Sequence, residues 1–90
     1  MTVTVFHFWS PTCGPCMVIK PALEMLKEEF EGRIEWISIN TKEDPKAVAR
    51  VLNISIVPTI VVVRDGMEVG RHSGTQIGIF YTLIRKALAI

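Results

Sequence analysis

Cys13 and Cys16 are the only cysteines of the chain, and Gly14-Pro15 separates them within the stretch WSPTCGPCMV. Two thiols at that spacing can staple a fold, hold part of a metal site, or run as a redox couple that opens and closes. The staple is the weakest reading, because a disulfide across so small a loop constrains the unfolded chain least. A zinc site needs further ligands, and His7 and His72 are not spaced to supply them. The redox couple needs one reactive thiolate and a partner close enough to resolve what it forms. The elements around the pair have to provide both.

Upstream, TVTVFHFW alternates β-branched and aromatic residues and predicts a strand from Val3 to Trp9. Val3, Val5, His7 and Trp9 share one face, and Thr4, Phe6 and Phe8 the other, so both faces carry bulk and the strand is expected to be central. Ser10-Pro11-Thr12 interrupts it. A helix is predicted over 13–30, with Ile19, Ala22, Leu23, Leu26 and Phe30 as its apolar stripe, a kink at Pro21 and a stop at Gly32. RIEWISIN reads as a second strand. EDPKAVARVLN reads as a second helix over 43–53, with Asp44 as its cap and Pro45 at its first position. VPTIVVVR and MEVGRHSG read as a hairpin about Asp65-Gly66, with Arg64, Glu68 and Arg71 keeping its edge charged. TQIGIFYTLIRKALAI closes the chain as an amphipathic helix. The order is βαβαββα. A strand–helix–strand unit implies a right-handed crossover and a parallel pair, so the fold class is α/β: a mixed four-stranded sheet with helices on both faces, in one domain over 1–90.

In that arrangement Cys13 falls at the start of the first helix, where free N–H groups and the positive end of the helix dipole favour a thiolate. Cys16 lies one turn on, within reach of it. Pro15 supplies a helix-ready φ and Gly14 allows close approach of another chain.

The segment FWSPTCGPCMVIKP resembles the active-site stretch of the thioredoxin family. Pro21 matches its kink proline, Ile56-Val57-Pro58-Thr59 its cis-proline loop, Asp65-Gly66 its hairpin turn and Gly74 the glycine before its last helix. The resemblance covers nearly the whole chain, which begins at the family's usual second strand and is glutaredoxin-sized. It implies a thioredoxin-like fold and a protein-disulfide reductase with Cys13 as the exposed nucleophile and Cys16 as the buried resolving thiol. It also implies a cis Pro58 that leaves the Val57 backbone free for substrate, and a docking surface of Trp9, Gly14, Pro15, Val57, Pro58 and Gly74. Four positions depart from the pattern. His7 replaces a buried aspartate that handles the proton of the resolving thiol, and Ser38 replaces the lysine that often partners it. An imidazole titrates near neutral pH and can take over that proton; otherwise His7 is a neutral core residue tied to a backbone carbonyl. Thr12 replaces a tryptophan, and Ile56 a small residue.

Three rivals remain. A glutathione-dependent, glutaredoxin-like reductase fits the length but not CGPC. A CxxC copper carrier with Met17 nearby would use a different order of strands and helices. A redox-silent adaptor on the same fold has no need of both cysteines. Ten basic and nine acidic residues leave a net charge of +1 without a basic cluster, which argues against nucleic acid. No apolar run approaches the roughly 20 residues of a membrane span, and the N-terminus lacks the layout of a signal peptide. The expectation is a cytoplasmic monomer without metal or cofactor, working on disulfide-containing proteins and recharged by a reductase of unspecified type.

Overall fold

The alternating residues at the start of the chain form strand β1, Val3–Trp9, in the computed structural model, which describes residues 1–89. Helix α1 (Gly14–Glu29), strand β2 (Glu35–Asn40), helix α2 (Val48–Val51), strands β3 (Thr59–Arg64) and β4 (Met67–Ser73) and helix α3 (Ile77–Ala89) follow. The expected order is therefore observed; Ile90, included in the predicted last helix, lies outside the described residues. The sheet order is β2-β1-β3-β4. β1 runs parallel to β2 and antiparallel to β3, and β3 and β4 form the antiparallel hairpin.

β1 is central, and its two faces bury different sets. Val3 and Val5 join Ile60 and Val62 of β3 under α1 and α3, which contribute Leu23, Leu26, Phe80 and Ile84. Phe8 joins Ile39 and Val61 on the opposite face, where α2 and the segment after it supply Val48, Ala49, Leu52 and Ile54. Phe8, Phe30 and Phe80 are fully buried, and burial of each contributes roughly 1.5–3 kcal/mol. α1 runs unbroken through Pro21, whose ring leaves the Met17 carbonyl without its helical N–H.

Helix α2 departs from expectation: it spans four residues, not the predicted 43–53, and Pro45 is not its first position. Ala47 adopts a left-handed φ of 52°, which breaks any helix continuing from Pro45. Asp44 does cap the element, across a turn: its two carboxylate oxygens accept the amides of Val48 (3.0 Å) and Ala49 (2.8 Å). Other boundaries shift by a residue or two. β2 starts at Glu35 because the chain is still turning at Arg33, whose amide bonds the Phe30 carbonyl at 2.9 Å. β3 starts at Thr59, after the cis Val57–Pro58 bond.

Candidate active site

Cys13 and Cys16 are joined in a disulfide, with their Cα atoms 5.2 Å apart. Cys13 is the N-cap of α1 in extended conformation, one place ahead of the helical position expected for it, and Gly14 and Pro15 form the exposed first turn. Its Sγ accepts the Cys16 amide at 3.1 Å, the bond an N-cap side chain ordinarily makes. A negative charge on this sulfur would sit on that N–H and on the positive end of a 16-residue helix. The two sulfurs are not equivalent: Cys13 is half-buried, whereas Cys16 is 2% exposed. Only the first can be reached by a large substrate.

The loop that carries Cys13 is fixed from below by Ser10, a buried residue. Its carbonyl accepts the Cys13 amide at 3.1 Å, and its hydroxyl lies 3.0 Å from Thr12 Oγ1 and takes the Thr12 amide at 3.3 Å. Facing it, the Val57 carbonyl oxygen lies 3.7 Å from Cys13 Sγ. Val57 precedes the cis bond to Pro58, and among the described residues its amide makes no backbone hydrogen bond. Thr59 is buried beneath this loop. Its hydroxyl donates to the Ile56 carbonyl (2.6 Å), so it must accept from Ser73 (2.6 Å), since it has one hydrogen. The Gly74 amide bonds the Pro58 carbonyl at 3.0 Å, which brings Gly74 beside the same loop. Neither Ser10 nor Thr59 was given a role from the sequence; the Ser-Pro-Thr turn was a faint local signal for the first, and its place in the Ile56–Thr59 stretch marked the second without announcing its bond to Ser73.

Behind the disulfide, a cavity of about 210 Å³ is lined by His7, Trp9, Cys16, Lys20, Trp36 and Ser38, among others. His7 and Cys16 thus share one space, as the shared face of His7 and Trp9 suggested. The imidazole is not tied to a backbone carbonyl. Its Nδ1 lies 3.4 Å from Ser38 Oγ, and its Nε2 is buried without a partner. Burial pushes its pKa down to about 4, so the ring is neutral near pH 7. Met17, Val18 and Ile56 add exposed apolar surface, at 42%, 77% and 59%.

A helix-capping half-cystine, an adjoining cis-proline loop and a buried second sulfur occur here in one chain that matches the Thioredoxin family model over residues 1–84. The chain belongs to the thioredoxin family. A thioredoxin of Staphylococcus aureus is 36% identical over 74 residues, spanning 82% of this chain and 70% of that protein. Fasciola hepatica thioredoxin superposes with a TM-score of 0.87 at 29% identity, covering 96% of this chain and 81% of its own. A solved malarial protein shares the fold with a TM-score of 0.83 at 21% identity, over 98% of this chain and 99% of that one. As a thioredoxin-family protein with a Cys13–Cys16 disulfide, the chain is a thiol–disulfide oxidoreductase of the protein-disulfide reductase type. Disulfide substrates and a reductase partner come with that membership. No helix among the described residues is long and apolar enough to cross a membrane.

Proposed function

We propose that the protein reduces protein disulfides by a two-thiol cycle in which Cys13 attacks and Cys16 resolves. The cycle starts from the reduced pair. The Cys13 thiolate attacks one sulfur of a substrate disulfide, forms a mixed disulfide and expels the other sulfur as a thiolate. Cys16 then gives up its proton and attacks Cys13 Sγ, which closes the Cys13–Cys16 bond and expels the second substrate thiolate. Two electrons pass from the dithiol to the substrate, and the substrate thiolates take protons from solvent.

The observation that carries this reading is the asymmetry of the pair: a reachable sulfur capping the helix, bonded to a buried one. Trp9, Gly14, Pro15, Val57, Pro58 and Gly74 form the docking surface, with the free Val57 amide pairing with an extended segment of substrate. His7 is the base for Cys16. It is neutral and so able to accept, it shares the cavity with the thiol, and charge developing on Cys16 raises its basicity as the proton moves. The protein works as one domain, as a monomer and in the cytoplasm.

Substitution of each cysteine tests the assignment. Cys13→Ser abolishes reduction of a disulfide-containing test protein, and Cys16→Ser accumulates a mixed disulfide with it, visible as a mass increase that thiol reagents reverse. Full turnover of Cys16→Ser with glutathione would replace this cycle by a one-thiol, glutaredoxin-like one.

A further inference from the structure

Parallel pairing of β1 with β2 sets His7 opposite Ser38. Two ring nitrogens converge on that hydroxyl: Trp36 Nε1 lies 3.1 Å from Ser38 Oγ and His7 Nδ1 lies 3.4 Å from it. An indole N–H can only donate, so Trp36 occupies one lone pair of Ser38. The remaining lone pair or the hydroxyl hydrogen must meet His7. Ser38 is exposed, so water is available to its hydrogen.

The other ring nitrogen decides between the two arrangements. His7 Nε2 is the buried side-chain polar atom without a partner among the described residues. If Ser38 donated to Nδ1, Nε2 would carry a hydrogen and bury an orphaned donor, the rarer and costlier fault in folded proteins. If Nδ1 donates to Ser38, Nε2 carries a lone pair instead and can take a proton.

We propose that Ser38, itself held by Trp36, is a positioning residue that fixes His7, which lines the cavity shared with Cys16, in its Nδ1–H form and leaves the lone pair on the buried Nε2. This rests on the reading of His7 as the base for Cys16 and adds how that base is kept in its accepting form. The titratable groups facing the ring across the cavity are Cys16, Lys20 and Glu24, all from α1.

The ring's tautomer is directly measurable. In oxidised protein labelled with ¹⁵N-histidine at pH 7, His7 should give the signature of a protonated Nδ1 and a bare Nε2. Ser38→Ala should move the population toward protonated Nε2, and Ser38→Thr, which keeps the hydroxyl, should restore the original pattern. In single-turnover assays with a preformed Cys13 mixed disulfide, Ser38→Ala should slow release of the second substrate thiol about tenfold or more, with Ser38→Thr close to the parent. A protonated Nε2 in the parent protein, or an unchanged tautomer in Ser38→Ala, overturns the proposal. A tautomer that switches in Ser38→Ala with release unslowed upholds the positioning role and removes His7 from proton transfer, so the two readings fail separately.

Discussion

His7 shows how one residue's environment sets both its chemistry and its cost. Its pKa falls from 6.5 to about 4 because burial disfavours the charged ring. The unfolded chain therefore binds a proton that the folded one refuses between those two values. Stability is unaffected by this group above pH 6.5, declines as pH falls through the window, and has lost its full share below about pH 4. The shift corresponds to at most about 3.5 kcal/mol. His7→Gln, which does not titrate, should flatten that acid limb in urea unfolding measured from pH 7 to 4. Gly74 is constrained in a different way. Its φ is +128°, and a Cβ there would come within 2.6 Å of Gln76 Oε1, which lies 2.8 Å from His72 Nε2. Gly74→Ala should cost about 1–3 kcal/mol and weaken substrate affinity, since the Gly74 amide holds the Pro58 carbonyl.

Among the elements, α2 is the one that cannot stand alone, since four residues are too few to form a helix without outside support. Asp44 provides part of that support. Asp44→Ala should therefore cost about 1 kcal/mol, read as a fall of roughly 4–8 °C in Tm, and Asp44→Asn should recover part of it. This element is also where reading the sequence went furthest astray. Asp-Pro before an apolar run carries the marks of a helix start, and no local pattern announced that Ala47 would turn left-handed. The strands were legible because β-branched alternation is a local signal, as in β1. The cysteine pair was legible for the same reason: its spacing and its place after a strand are written in consecutive residues. The contact of His7 with Ser38 spans 31 positions and exists only through the parallel register of β1 and β2. Likewise Thr59 reaches Ser73 only because the β3–β4 hairpin pairs them.

For the whole molecule, closing the disulfide changes stability although it joins residues only three apart. The chain-entropy relation gives up to about 2 kcal/mol for such a loop. Urea unfolding with and without dithiothreitol should place the oxidised form above the reduced one by no more than that. The small size of the difference suits a pair that must open and close in every cycle. β1 makes the complementary point. It is hydrogen-bonded along both edges, and Val3, Val5 and Phe8 are 1% exposed or less. Its amides should exchange with deuterated solvent only when the entire chain unfolds, whereas the Cys13 amide, held by one bond to Ser10 in a surface turn, should exchange through local opening. The half-buried Cys13 sulfur is thus tethered a few residues beyond the strand expected to exchange slowest, on a loop expected to open while its anchor stays shut.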